Sequence, residues 1–264
     1  MTPVGAVSRV LGFAVACAAF LSVGTTQAAP EQNKAVVRAV RGTANFSTDR
    51  GANWKALKVG TSLNQNSVIR TAPGSTVDLY MNENGPAVRV TENTTLGIDR
   101  LTIDRTGVDN IIETQLDLRN GRILGNVRKL AAASKYEVKT PQGVAGIRGT
   151  RYDISADGTV RVIEGQVVVV YIVNGVASTA TVNAGQMARP PVQGGGQVEL
   201  SPIPPGIMSD LTTQFAELDK NTGVKGTTVV TTLGEAPPIV TVEPIKDALV
   251  EGDPANLESP ARTN

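Results

Sequence analysis

The sequence predicts an all-β protein: an irregular, β-solenoid-like domain of stacked short strands, then a Pro/Gly-rich linker, one short amphipathic helix and an extended tail. Three observations carry that expectation. Apolar residues alternate with polar ones through Tyr152, Ile154, Val160 and Val162, and the two-residue spacing continues through Val167, Val169, Tyr171 and Val173; a period of two marks a half-buried strand. The runs are cut by Asp157-Gly158, Glu164-Gly165 and Asn174-Gly175. Asp-Gly and Asn-Gly supply the positive φ angles that two-residue hairpin turns demand. The whole stretch from Tyr136 to Val173 is rich in β-branched residues and shows no reactive centre.

Residues 1–29 read as a signal peptide: Arg9, an apolar run from Val10 to Val23, and Thr26-Gln27-Ala28 before a cut after Ala28 or Ala29. The run is short for a membrane span and is interrupted by Gly12 and Ser22, which favours cleavage over an uncleaved anchor. The expectation is an exported protein, periplasmic or else secreted or surface-associated, with no transmembrane segment after cleavage. Cys17, the single cysteine, lies in the middle of that run, well before the cleavage region, which argues against a lipid-modified cysteine. The mature chain then holds no cysteine, and the sequence has no histidine. That excludes disulfides, a thiol nucleophile, an imidazole base and the usual zinc ligand sets.

Without Arg9, 24 of the 25 basic residues remain against 24 acidic ones, so the mature chain is formally neutral. Nucleic-acid binders carry a basic excess on one face, and none is visible. The aromatics after the signal are Phe46, Trp54, Tyr80, Tyr136, Tyr152, Tyr171 and Phe215, too few for a base-stacking platform.

Strands are expected from Val36 through Asp49, with a bend at Gly42, and then at Ser67–Thr71, Thr76–Met81, Ala87–Thr91 and Thr95–Ile98. Pro73-Gly74 and Asn84-Gly85 are turns. Asp109 to Arg119 reads as a further strand, Asn120-Gly121 turns the chain into Arg122–Val127, and Lys129 to Lys135 is a connector too short for an independent helix. Residues 189–206 are the Pro/Gly-rich linker. Over 207–222, Ile207, Met208, Leu211, Phe215 and Leu218 recur at helical spacing, with Ser209 or Asp210 near the start and Gly223 after the end. Packing of this helix back onto the β domain is favoured over partner binding. Residues 223–264, rich in proline and acidic residues, read as an extended or disordered tail.

The short motifs from Val36 to Ala188 resemble a FecR-like domain. In the first half they are Gly42, Trp54, Gly60, Leu63, Ile69-Arg70-Thr71, Gly74-Ser75 and Leu79, with Asn84-Gly85 where the family usually has Asp-Gly and Asn66 in place of an acidic residue. The second half is more specific: Val138-x-Thr140-Pro141, Gly149-Thr150-x-Tyr152-x-Ile154, Val160-x-Val162, Glu164-Gly165-x-Val167-x-Val169, and Ala184-Gly185-Gln186. The resemblance implies an all-β, solenoid-like periplasmic domain. In the family's iron-uptake regulators it passes a signal from an outer-membrane transporter to a sigma factor. Those regulators carry a sigma-binding segment and a membrane helix before the β domain, whereas here a signal peptide leads into it.

Three patterns imitate chemistry. Asp153, Ser155, Asp157, Gly158 and Glu164 sit at EF-hand spacing, yet the flanks read as strands and Arg161 occupies a ligand position, so a hairpin accounts for them. Gly143, Gly146 and Gly149 match neither nucleotide fingerprint and suit tight corners; Arg148 and Arg151 beside them read as solvated charges rather than an anion site. Glu113 with Asp117, and Asp153 with Glu164, read as strand-surface charges rather than a glycosidase pair. The sequence thus singles out no catalytic residue, no metal ligand, no cofactor and no defined binding residue. The expected function is non-catalytic: binding of an envelope protein partner, with signalling as one role. The alternatives are a structural envelope protein binding peptidoglycan or polysaccharide, and a polysaccharide-active enzyme.

Overall fold

A computed structural model describes residues 30–192 and 196–224; the signal-peptide reading and residues 225–264 of the expected tail lie outside them. The described residues form nineteen strands and one helix. The chain shuttles between two sheets. After β1 (Glu31–Gln32), β2 (Ala35–Arg41) joins the second sheet, while β3 (Ala44–Ser47) and β4 (Lys55–Ala56) join the first. β5 (Ser62–Leu63) returns to the second sheet and β6 (Val68–Thr71) to the first. Strands then alternate in pairs, apart from the single β11. β7 (Thr76–Tyr80) and β8 (Ala87–Val90) go to the second sheet, β9 (Thr95–Asp104) and β10 (Ile111–Asn120) to the first, and β11 (Arg122–Asn126) to the second. β12 (Lys135–Thr140) and β13 (Gly143–Ile147) are in the first, and β14 (Arg151–Ser155) and β15 (Val160–Glu164) in the second. Last come β16 (Gln166–Val173) and β17 (Val176–Asn183) in the first, and β18 (Gln186–Arg189) and β19 (Glu199–Pro202) in the second.

The first sheet runs β17-β16-β13-β12-β10-β9-β6-β3-β4, with β1 beside β9; the second runs β19-β18-β15-β14-β11-β8-β7-β2-β5. Pairing is antiparallel except between β10 and β12. Inward residues of both sheets, among them Leu79, Val88 and Ile154 from one and Leu96, Leu116 and Val169 from the other, form one hydrophobic cluster. Each such fully buried aliphatic side chain contributes about 1.5–3 kcal/mol, which lets the fold stand without disulfides.

Hydroxyls line the corners where the chain changes sheet. Buried Thr94 donates from its backbone to Thr71 Oγ1 at 3.0 Å, and its own Oγ1 accepts the Arg122 amide at 3.0 Å. Thr150 Oγ1 donates to the Gln166 carbonyl at 2.8 Å. Gly121 turns the corner from β10 into β11 at φ 81°, and a β-carbon there would lie 2.6 Å from Thr94 Cα, so the position demands glycine on two grounds.

The turns sit where the sequence places them: Asn174 and Gly175, at φ 50° and 78°, close the β16–β17 hairpin. Several elements differ in extent. The strand expected from Val36 through Asp49 is two strands, β2 and β3, which part at Gly42 and enter different sheets. β9 continues past Ile98 to Asp104, because a register shift at Gln115/Leu116 re-phases its pairing with β10 and breaks the simple alternation. The span read as linker contains β19, held to β18 by backbone pairing between Ala188 and Leu200, which composition does not reveal. The helix α1 (Pro205–Thr222) starts two residues before 207, with Pro204 at the N-cap and no side-chain cap. Proline at the first helical position loses an N–H that would have no helical partner. Gly223 ends the helix at φ 70°, as its position suggested. α1 packs onto the β domain through Leu211, Phe215 and Leu218.

Candidate partner-binding surface

β16 reads Gln166-Val-Val-Val-Val-Tyr-Ile-Val173, and its two faces part company. Val167, Val169 and Tyr171 point inward and are buried. Val168 and Ile172 point outward and are 42% and 57% exposed. Strands buried on both faces read as continuous apolar runs; here the run is continuous and the second face is open. The register extends the surface sideways. Val168 lies between Gly146 of β13 and Thr181 of β17; Val170 lies between Val144 and Thr179; Ile172 lies beside Ala177. No charged side chain interrupts these three strands' outer face.

Charge resumes one strand further in. Lys139 of β12 pairs with Asp99 at 3.4 Å, Gln115 donates to Glu137 at 3.1 Å, and Arg100 meets Glu113 at 2.6 Å. Arg100, Glu113, Gln115, Lys135 and Glu137 line a shallow polar depression of about 170 Å³.

The sheet edges also differ. β4 and β5 are two-residue strands, and β19 carries Glu199 and ends on Pro202. Short length, charge and proline are the devices that protect a sheet edge from pairing with other chains. β17 has none of them: Val-Ala-Ser-Thr-Ala-Thr-Val-Asn is eight residues long, uncharged and in unbroken register with β16. Its outer backbone groups have no strand partner among the described residues. A long regular edge beside an uncharged apolar face presents the hydrogen-bonding row that added-strand recognition uses.

The residues that imitate chemistry are placed otherwise. Asp153 through Glu164 form the β14–β15 hairpin, with strands where an EF-hand needs helices. Asp153 is not a surface charge: it is fully buried, held by Arg161 at 3.3 Å and Arg122 at 3.6 Å. Burial pushes its carboxyl above the usual range, against the pull of those two arginines. Its alternation with Tyr152 and Ile154 pointed outward correctly; what the sequence hides is the pair of arginines, Arg122 and Arg161, that close over it. Glu164, its supposed partner, instead contacts Arg151 at 3.5 Å. Glu113 pairs with Arg100, and Asp117 with Arg119 at 2.6 Å, as strand-surface charges do. Arg148 is exposed, while Arg151 is bound to Asp219 at 2.7 Å, so the two do not converge on an anion. Gly149 is a corner at φ 69°, whereas Gly146 lies within β13. Among the described residues, no acidic cluster is arranged to hold a metal ion, and no helix is long and apolar enough to cross a membrane.

Residues 67–168 match the family model described as FecR protein, a span from β6 into the start of β16. No curated protein matches the sequence. Among solved structures, a similar one is the crystal structure of a candidate anti-sigma factor from Parabacteroides distasonis ATCC 8503. It is 13% identical, with an alignment covering 51% of this chain and 59% of that one, at a TM-score of 0.38. The chain thus spans about three fifths of that protein.

Proposed function

Because this chain carries a FecR-like β domain, we propose that it is an exported, non-catalytic protein that binds a protein partner in the cell envelope by adding the partner's strand to β17. The observation that carries this reading is the contrast between edges: three are short, charged or proline-bearing, and β17 is none of these. Ala177, Thr179 and Thr181 would flank the outward side chains of an added strand, with Val168, Val170 and Ile172 continuing the uncharged face one strand further in. Resemblance to the iron-uptake regulators supports a place in envelope signalling. Against a polysaccharide-active enzyme, each carboxylate weighed as an acid or base is already bound to an arginine, and Asp153 has no access to solvent.

In-cell crosslinking of the tagged protein, followed by identification of what co-purifies from the envelope, tests the proposal. Recovery of one envelope protein, lost when β17 is altered, is the expected result. Recovery of cell-wall fragments alone would replace it with the structural reading, in which the polar depression between β9, β10 and β12 contacts glycan.

A further inference from the structure

The outer face of the second sheet carries a row of charges that the fold does not leave in water. Asp78 and Arg89 lie opposite each other on β7 and β8 and are 2% and 3% exposed, joined by two hydrogen bonds of 2.7 and 2.8 Å. Beyond them stand Leu124, Asp153 and Arg161 on successive strands. α1 covers the Asp78, Arg89 and Leu124 end of the row, and its contacts are those of an interface rather than a core. Leu211, Phe215 and Leu218 form the apolar seam, against Ala87, Leu124, Tyr80 and Ile163, in a cluster separate from the main core.

Polar groups flank that seam on both sides. On one flank Arg89 donates to Glu217 at 2.8 Å and to the Gln214 carbonyl at 3.3 Å, Arg122 donates to the Gln214 side chain at 2.6 Å, and Asn221 donates to Asp78 at 2.7 Å. On the other, Arg151 and Asn126 donate to Asp219 at 2.7 and 3.0 Å, and the Arg151 guanidinium lies over the Phe215 ring. A small apolar centre within a polar rim is the composition of exchangeable interfaces. Further along the row, Asp153 Oδ1 and Arg161 Nε are buried without a hydrogen-bond partner. The sheet sets Arg89, Arg122, Arg151 and Arg161 against its own Asp78, Asp153 and Glu164, and α1 adds two further carboxylates, Glu217 on Arg89 and Asp219 on Arg151.

We propose that this face is a helix-recognition groove, that α1 is its resident occupant, and that an acidic amphipathic helix of a partner protein exchanges with α1 there. The partner helix carries apolar residues at the spacing of Leu211, Phe215 and Leu218, with carboxylates at the positions of Glu217 and Asp219. Helix-in-groove recognition reads such i, i+4, i+7 anchors. The groove and the β17 edge lie on different sheets, so either can fail without the other.

The test titrates a fluorescein-labelled peptide of residues 203–224 into the full chain and into its Phe215→Lys variant, following anisotropy. The tethered α1 competes at an effective concentration near the millimolar range, so the wild-type chain binds the peptide weakly. Phe215→Lys removes the aromatic anchor and opposes Arg151, so the variant binds the same peptide at least ten-fold more tightly. A peptide with Glu217→Lys and Asp219→Lys loses that binding. The proposal is overturned if the variant keeps its β-sheet circular dichroism and binds no more tightly than wild type. It is also overturned if the variant loses its cooperative β-sheet melt, because α1 is then integral to the fold. A concentration-dependent dimer abolished by Phe215→Lys would assign the groove to a second copy of the chain and sink the partner reading.

Discussion

The phenolic hydroxyls of Tyr136 and Tyr152 meet at 3.0 Å in the core, one from each sheet, with their rings edge to face at 6.2 Å. Burial pushes both phenols above their ordinary value of 10.0; the Tyr152 hydroxyl tempers the shift at Tyr136, and the neighbouring Tyr136 adds to the shift at Tyr152. A folded-state pKa above the unfolded one means that the stability is fully present below pH 10 and is lost as pH rises beyond it. Each tyrosine that ionises only in the unfolded state then costs about 1.4 kcal/mol per pH unit. Melting temperature should therefore hold through neutral pH and fall above pH 10. The fall should be shallower in the Tyr136→Phe/Tyr152→Phe double variant.

The same pair predicts non-additivity. Either single phenylalanine leaves one buried hydroxyl without its partner, at a cost of about 1–3 kcal/mol, while replacing both removes the unpaired group. Urea melts of the two singles and the double should give a double cost below the sum of the singles. Simple additivity would mean that the hydroxyls do not depend on each other.

Gly125 lies opposite Tyr152, and a β-carbon there would collide with the Tyr152 ring. Gly125→Ala should lose about 1–3 kcal/mol through overpacking, read as a lowered urea midpoint. A neutral outcome would show that the ring can move aside.

Buried and exposed ion pairs should separate by magnitude. Asp78→Ala leaves Arg89 buried beside α1 without its bidentate partner and should cost about 3–5 kcal/mol. Glu31→Ala, which breaks an exposed pair with Arg105, should change stability by less than about 1 kcal/mol. Thermal melts of the two variants compare them directly.

Strands and turns were legible where one face is apolar and a glycine follows: β14 to β17 and their turns fall where Tyr152 to Gly175 place them. The longer reach of β9 was not, because a register shift moves its later residues out of phase. β19 was hidden because its pairing is made by backbone groups in a Gly/Pro-rich span. The apolar outer face could have been found from Val168, Val170 and Ile172, since a β16 that is apolar on both faces must cover or expose one of them. The burial of Asp78 and Arg89 had no local signal. It arises from α1, 128 to 143 residues further on, laying its acidic flanks across the sheet.

The most direct test of the central claim compares two edge variants by in-cell crosslinking. Thr179→Lys/Thr181→Lys places charge on the outer face of β17, where both side chains are exposed, and should leave the melting temperature unchanged. Leu200→Lys, on the already charged edge strand β19, serves as the control. Loss of the crosslinked envelope partner with the β17 variant, and its retention with the β19 variant, is the result expected. A partner recovered equally from both would contradict strand addition at β17.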